Sequence, residues 1–251
     1  MDLLLKDKTA LVTGASMGIG RACAAALAAE GVRVCVTARR RKLLEELVNE
    51  IAARGHTRPV VVDLDIMEEG APARLAKAAA SALGRVDILI NSAGGSQPAI
   101  TIDTGEGPWE EAMRLNFIRV RQLTHEILAG MIENRYGRVI NISGKSEPSG
   151  LLAVSPAKAA IHAWSKGLSR EVGKHGITVN CIPPGRIMSE QIRRKYSEEF
   201  RAKQSAEEIP MGRYGEPEEL AALVVFLASP VAGYITGTVL PVDGGLRRYA
   251  Y

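Results

Sequence analysis

Short apolar runs alternate with longer amphipathic stretches along the chain. The runs have the length of buried strands, and the stretches between them, such as Arg21–Glu30, Arg41–Ala53 and Ala71–Leu83, suit helices. The strand candidates are Thr9–Thr13, Arg33–Thr37, Pro59–Asp63, Ile88–Asn91, Arg138–Ile142, Thr178–Ile182 and Val239–Val242. Strands that alternate with helices indicate βαβ units. We therefore expect an α/β fold with a doubly wound parallel sheet of about seven strands.

No linker, low-complexity tract or repeat interrupts this alternation, so residues 1–251 are expected to form a single domain. One segment, Met188 to Gly212, is polar and helix-prone and contains no strand candidate. It follows a strand, where a lid over a ligand would lie. We therefore expect a lid-like insertion near residues 188–212.

Composition indicates which residues build the core and which partners are not expected. Hydrophobic residues make up 46% of the chain and aromatic residues only 4%, so Ala, Val, Leu and Ile must build the core, as in parallel strands covered on both faces. The net charge of +4 is dispersed, and aromatic residues do not alternate with the basic ones, so no nucleic-acid partner is expected.

The cysteines indicate the compartment. Cys23, Cys35 and Cys181 have no metal-ligand spacing and suit a reducing compartment. With no signal peptide and no bilayer-length run, we expect a soluble, cytoplasmic protein without a metal or a membrane partner.

A glycine-rich turn follows the first strand candidate. The sequence there is Thr13-Gly14-Ala15-Ser16-Met17-Gly18-Ile19-Gly20, and an alanine-rich helix begins at its end. Glycines permit the tight turn and the close approach of backbone to a pyrophosphate, while the helix N-terminus offers unpaired N–H groups. The turn predicts a dinucleotide site and a Rossmann fold, although a turn that serves packing alone is the alternative.

The end of the second strand candidate selects between dinucleotides. An acidic residue there would bind the ribose 2′-hydroxyl of NAD, but the sequence reads Val36-Thr37-Ala38-Arg39-Arg40. A guanidinium can pair with the 2′-phosphate of NADP. We therefore expect NADP in preference to NAD, held first by Arg39 and second by Arg40. The alternative is that both arginines are solvated at a helix start, where cations are not favoured.

Further motifs extend over nearly the whole chain. They are Asp63-Leu64, Asn91-Ser92-Ala93-Gly94, Leu115-Asn116, Pro183-Pro184-Gly185 and Val242-Asp243-Gly244-Gly245. With the T-G-x-x-x-G-x-G turn, they resemble the short-chain dehydrogenase/reductase family, and most closely its 3-oxoacyl carrier-protein reductase branch. The resemblance implies a homotetramer or homodimer, with self-association around Pro156–Lys174 and Val224–Leu227.

The resemblance also assigns roles to the motif residues. It implies that Asp63 and Leu64 contact adenine, that residues 91–94 lie along the cofactor, and that Asn116 is a structural and proton-relay residue. The predicted cofactor-binding residues are Gly14, Ser16, Met17, Gly18, Ile19, Gly20, Arg39, Arg40, Asp63, Leu64, Asn91, Ala93, Gly94, Lys158, Pro184, Gly185 and Ile187, and the predicted catalytic residues are Lys158, Asn116, Ser143 and Tyr196.

The sequence departs from the family at its reaction centre. The family's chemistry needs a tyrosine four residues before a lysine, because residues at that spacing are neighbours on a helix and the ammonium lowers the phenol's pKa. Lys158 is present, but the residue four positions before it is Val154. Ser155 is adjacent, yet one residue turns it about 100° around a helix.

The family's serine is displaced as well. In Ile142-Ser143-Gly144, the second small residue corresponds to the usual catalytic position, and here it is glycine. Ser143 or Ser146 could serve instead. Lys145 and Glu147 could reach the substrate end, although an exposed charged loop is an equally good interpretation.

Other side chains are candidates to replace the tyrosine. Tyr196, in the lid-like segment, is the preferred candidate, and Tyr214 is a second one. His162 lies one turn beyond Lys158, where a helix-surface or interface histidine is the more common arrangement.

Two functions remain open. The first is an NADP(H)-dependent oxidoreductase that interconverts a carbonyl and an alcohol, with Lys158 acting through a water, or Ser143 or Tyr196, as proton donor. The second is a catalytically inactive dinucleotide-binding sensor or partner subunit. We expect the enzyme, with a small-molecule substrate that the sequence does not identify.

Overall fold

The computed structural model of the protein describes residues 1–95, 100–144, 148 and 150–248, without the side chains of Gln191 and Lys195. Within this part of the chain, six parallel strands form one sheet in the order β3-β2-β1-β4-β5-β6. The strands are β1 (Thr9–Thr13), β2 (Arg33–Ala38), β3 (Val60–Asp63), β4 (Ile88–Asn91), β5 (Gly137–Ile142) and β6 (Ile177–Ile182). This order reverses between β1 and β4, where the carboxyl ends of the strands leave a crevice for ligands.

Helices cover both faces of the sheet. They are α1 (Gly18–Ala29), α2 (Arg41–Ala53), α3 (Ala71–Leu83), α4 (Glu106–Met113), α5 (Arg119–Glu133), α6 (Val154–Val172), α7 (Glu190–Lys195), α8 (Glu198–Glu208) and α9 (Pro217–Ala228). A π-helical turn, Arg114–Ile118, joins α4 to α5. The predicted doubly wound α/β fold is confirmed. None of the described helices is both long enough and apolar enough to cross a bilayer.

Alternate residues of the buried strands face opposite layers, as the pleat requires. In β1, Ala10 and Val12 pack with α1, α2 and α9, whereas Leu11 packs with α3 and α5. The apolar stripe of α9 belongs to this core, because Val224 and Leu227 are fully buried within the chain. These two side chains are therefore not available for the self-association that the resemblance implied for this segment.

The predicted seventh strand is not a continuous strand. In the described part of the chain, residues 239–242 lie beside β6 but pair with the neighbouring segment through two isolated parallel bridges, at Cys181 and Pro184. The physical reason is Pro183, which carries no N–H to donate to this ladder, although Leu240 N and Val242 N on one side and Gly185 N on the other do donate across it. The segment still closes the edge of the sheet.

Candidate active site

A cavity of about 910 Å³ opens at the carboxyl ends of the strands. It extends from the glycine-rich turn to the start of α6 and is bordered on one side by α7. The predicted site residues that line it are Gly14, Ser16, Met17, Gly18, Ile19, Gly20, Arg39, Arg40, Leu64, Ala93, Gly94, Ser143, Lys158, Pro184, Gly185, Ile187 and Tyr196. The fold therefore brings most of the predicted cofactor and reaction residues to one continuous surface.

Three predicted site residues do not line this cavity. Asp63 is exposed and forms an ion pair with Arg41 at 3.0 Å, and Asp65, two residues later, lines the cavity instead. Asn91 is buried, where its Nδ2 donates to Asn141 Oδ1 at 2.8 Å. Asn116 is also buried, behind the cavity wall. Asp63 and Asn91 lie off the cavity because the residues of a strand alternate between faces, and motif spacing does not reveal which face a side chain takes. Asn116 lies in the π-helical turn, and its amide binds the loop after β4 instead.

The glycine-rich turn forms a tight cradle. Gly14 has φ +65°, and a Cβ atom there would lie 2.8 Å from Ala93 N, which no side chain can tolerate. The cap residue of α1, Met17, has an extended backbone and makes no side-chain cap. The first N–H groups of α1 therefore lack helical partners and border the cavity, an arrangement that suits a phosphate.

The opposite wall carries the arginines. Arg40 donates from Nη2 to Ser16 Oγ at 3.4 Å, which connects the end of β2 to the glycine-rich turn. Arg39 is 77% exposed at its side chain and lies 3.9 Å from Asp65. Thr37 Oγ1, buried in the same wall, has no hydrogen-bond partner among the described residues. Two cations and an unsatisfied hydroxyl fit the phosphorylated ribose of NADP.

Lys158 occupies the inner end of the cavity. Val154 begins α6 and lines the cavity one turn before Lys158, so the position expected for a tyrosine presents only an apolar side chain. Lys158 Nζ donates to Ile142 O at 3.1 Å. Burial lowers the pKa of Lys158 to about 8, although the nearby Cys181 opposes this effect. An ammonium that titrates close to neutral pH is a chemically useful group at this point.

Asn116 supports this end of the cavity from behind. It lies in the π-helical turn, where its Nδ2 donates to Ala112 O at 3.0 Å and its Oδ1 accepts from Gly95 N at 3.3 Å. A Cβ atom on Gly94 would lie 2.9 Å from Asn116 Oδ1 and 3.2 Å from Lys158 Nζ. The amide and the ammonium thus flank the same glycine. A π-helical turn frequently marks a functional site, and here it directs the amide toward the loop after β4.

Ser143 has a partner that the sequence analysis did not select. His162 Nε2 lies 2.8 Å from Ser143 Oγ, and the ring is partly buried, not a helix-surface group. Burial lowers the pKa of His162, and the positive charges of Lys158 and Arg247 lower it further. The spacing of four residues from Lys158 was the available signal, because such residues are helix neighbours.

The two candidate tyrosines occupy different environments. Tyr196 lines the cavity and stacks on Phe200 with ring centroids 4.9 Å apart. Tyr214 is buried, its hydroxyl hydrogen-bonds to Gln204 Oε1, and it does not border the cavity. Tyr214 is therefore a packing residue rather than a substitute donor. The other candidates close to Ser143 in sequence, Lys145, Ser146 and Glu147, lie outside the described residues.

Arg186 is a second cation in the cavity wall, and it comes directly after the Pro-Pro-Gly motif. Its Nε is buried and has no hydrogen-bond partner within the described residues. Sequence reasoning missed this residue, because an arginine after a loop glycine carries no recognisable pattern.

The phosphate cradle, the arginine wall and the lysine at the inner end define a dinucleotide-binding α/β oxidoreductase. Residues 14–247 match the family model described as enoyl-(acyl carrier protein) reductase. The chain therefore belongs to the short-chain dehydrogenase/reductase family, and its 3-oxoacyl reductase-like branch is supported by the relatives described next.

Similar proteins match the chain over nearly its full length. The 3-oxoacyl-(acyl-carrier-protein) reductase of Aquifex aeolicus is 33% identical, over 98% of this chain and 100% of that protein. The rhamnolipids biosynthesis 3-oxoacyl-(acyl-carrier-protein) reductase of Pseudomonas aeruginosa is 37% identical, over 97% of both chains. Among solved structures, L-sorbose reductase from Gluconobacter frateurii, complexed with NADPH and L-sorbose, superposes with a TM-score of 0.93 at 28% identity, over 99% of this chain and 100% of that chain.

Proposed function

We propose that this protein is an NADP(H)-dependent oxidoreductase that interconverts a carbonyl and an alcohol without a catalytic tyrosine. The observation that carries the proposal is the buried ammonium of Lys158 at the inner end of a cavity whose other end suits a phosphorylated dinucleotide. The names of the relatives support the same reaction class and the same cofactor.

Different walls of the cavity would bind different parts of the cofactor. The first turn of α1 would hold the pyrophosphate, and Arg39 and Arg40 would hold the 2′-phosphate. Leu64 and Asp65 would border the adenine, and Pro184 and Gly185 would border the nicotinamide end. When bound, NADP(H) supplies or accepts the hydride, and the protein supplies orientation and charge.

Lys158 and Ser143 take the place of the tyrosine in this proposal. The Lys158 ammonium stabilises negative charge on the substrate oxygen, and the Ser143 hydroxyl contacts that oxygen and exchanges its proton. Both side chains line the cavity, and neither Val154 nor Gly144 contributes a hydroxyl there. Preorganised charge at a developing oxyanion is worth several kcal/mol, so catalysis survives without the phenol.

A dinucleotide-binding protein without turnover is the competing function. It is favoured by a single observation, the apolar Val154 in the wall of the cavity. In that case NADPH binds with the affinity of an enzyme, but no carbonyl compound oxidises it.

The test separates binding from turnover. NADPH binding is measured by fluorescence, and NADPH consumption is measured with a panel of ketones and 3-oxoacyl thioesters. The wild type is expected to turn over, and Lys158→Ala is expected to lose turnover. Tight binding without turnover by the wild type, together with turnover by Val154→Tyr, would establish the binding function instead.

We further propose that residues 188–212 form a lid over the cavity and that the protein is a homodimer or homotetramer. Ser189, Ile192 and Tyr196 border the cavity from this segment, which supports its action as a lid. A homodimer or homotetramer is proposed on the family resemblance, and light scattering on the purified chain tests it. The three buried free cysteines support a cytoplasmic location.

A further inference from the structure

Ser143, which the proposed function places at the substrate oxygen, forms a hydrogen-bonded pair with His162, a residue to which that function gives no role. Ser143 follows β5 and lines the cavity, while His162 lies behind it on α6. Their Oγ and Nε2 atoms are 2.8 Å apart, a short distance for an oxygen–nitrogen hydrogen bond. A hydroxyl at the substrate with an imidazole behind it is an arrangement able to move a proton.

We infer that Ser143 and His162 together are the proton acceptor of this site when an alcohol is oxidised. The inference rests on the proposed function, because it specifies the proton path of that same reaction. Ser143 touches the substrate oxygen, and His162 acts through Ser143.

The charges around His162 determine whether its ring is neutral or protonated. The Lys158 ammonium lies one turn earlier on the same helix, and the positive charge of Arg247, in the C-terminal segment, also acts on the ring. Partial burial and the two cations disfavour an imidazolium and lower the pKa of His162, so the ring is neutral at neutral pH and one of its nitrogens holds a lone pair. With that lone pair on Nε2, the Ser143 hydroxyl donates to His162, and Ser143 Oγ remains free to accept from a substrate hydroxyl.

The step balances in protons and electrons. The substrate alcohol gives its O–H proton to Ser143 Oγ while the Ser143 proton moves to His162 Nε2. The carbinol carbon loses its hydride to NADP⁺, the oxidant that the proposed function supplies, and the C–O single bond becomes a carbonyl. Lys158 stays protonated and stabilises the oxygen as its proton leaves. His162 then releases the proton to solvent through its partly exposed ring.

The first test determines the direction of the Ser143–His162 hydrogen bond and needs no turnover. Nitrogen-15 NMR of the full chain, with histidines labelled, reports which ring nitrogen of His162 carries the proton. An unprotonated Nε2, together with a raised His162 pKa in Ser143→Ala, is the expected result, because the serine donor stabilises the neutral ring. A protonated Nε2 that donates to Ser143, or a lowered pKa in Ser143→Ala, would overturn the inference.

The second test measures alcohol oxidation with NADP⁺ as a function of pH. His162→Gln keeps a hydrogen-bonding group beside Ser143 but cannot take up a proton, and His125→Gln, on the exposed side of α5, is the matched control. We expect His162→Gln to lower kcat roughly 10²-fold and to abolish the acid limb of the profile, with NADP⁺ affinity unchanged. Full rescue by glutamine, with the acid limb intact, would mean that His162 only positions Ser143.

The two tests also separate this inference from the proposed function. If the wild type binds NADPH but turns over no substrate of the panel, the proposed function fails. The NMR result still decides whether Ser143 donates to His162, and so whether the acceptor pair exists.

Discussion

The side chain of Lys158 lies so close to the backbone at Gly144 that a Cβ atom on residue 144 would come within 3.0 Å of Lys158 Cγ. Gly144 is the position at which the family resemblance implied a catalytic serine. The aliphatic part of the lysine side chain therefore occupies the space beside that position, and the ammonium reaches Ile142 O. The two departures from the family pattern, at residues 144 and 154, surround the same lysine.

This contact predicts that Gly144→Ala is harmful although it adds a single methyl group. The new Cβ displaces the Lys158 side chain by a few tenths of an ångström and misdirects its ammonium. We expect kcat to fall by about tenfold or more, since small misplacements in an active site are costly. Gly130→Ala is the control, because a Cβ atom at that exposed position meets nothing within 4 Å. Equal activity of the two variants in steady-state assays would contradict the prediction.

Val154→Tyr is predicted to add the missing proton donor. Residues four apart are neighbours on α6, so the phenol would lie beside Lys158, whose positive charge lowers the phenol's pKa. We expect carbonyl reduction by NADPH to accelerate by up to roughly 10²-fold. Val154→Phe has the same bulk without the hydroxyl and controls for the changed cavity shape. Acceleration by both variants would assign the effect to shape rather than to proton donation.

Arg39 and Arg40 are predicted to determine the preference for NADP over NAD. Charge-assisted hydrogen bonds are worth about 1.5–3 kcal/mol, so Arg39→Ala or Arg40→Ala should weaken NADPH binding roughly 10- to 100-fold. Binding of NADH, which lacks the 2′-phosphate, should change little. Arg41→Ala is a matched control, because Arg41 pairs with Asp63 and Glu45 and does not border the cavity. A similar loss for both dinucleotides would indicate a general electrostatic effect.

NADP affinity is predicted to depend on pH through Lys158. In the free protein the pKa of Lys158 is lowered to about 8 by burial. The anionic dinucleotide favours the ammonium, so bound NADP raises this pKa, and affinity is greatest below pH 8 and falls as the pH rises above it. Each pKa unit gained on binding corresponds to about a tenfold difference in affinity. Calorimetry should show proton uptake near pH 9 in the wild type, and the uptake should be absent in Lys158→Met.

Tyr196→Phe tests the remaining tyrosine of the cavity. The ring stacks on Phe200, and the substitution keeps this packing while it removes only the hydroxyl. If Lys158 and Ser143 handle the proton, kcat should stay within about twofold, the range of changes that disturb no essential contact. A loss of 10²-fold or more would identify Tyr196 as the proton donor. Tyr196→Ala, which also removes the stacking, measures the contribution of the ring to the lid.

Much of the fold could be predicted from the sequence because the signals are local. The strand β1 is bounded by the residues that the apolar pattern predicts, and the glycine-rich turn forms the expected cradle before α1. The predicted strand at Val239–Val242 failed because of a residue outside it, since Pro183 in the neighbouring segment has no N–H to donate to this ladder. The spacing of apolar residues and the residue types of a turn involve only a few consecutive residues, so both can be recognised in a linear sequence.

The arrangement of the reaction centre depends on contacts between distant segments. The sequence alone established that Lys158 is present, that residue 154 carries no hydroxyl and that Arg39 and Arg40 replace an acid. Only the tertiary structure decided that Ser143 meets His162, which is 19 residues away in sequence. Side-chain direction, burial and long-range charge arise when β5 packs against α6, and no spacing rule encodes them. Helix geometry suggested that His162 is near Lys158, but only the packed fold gives this histidine a partner at the cavity.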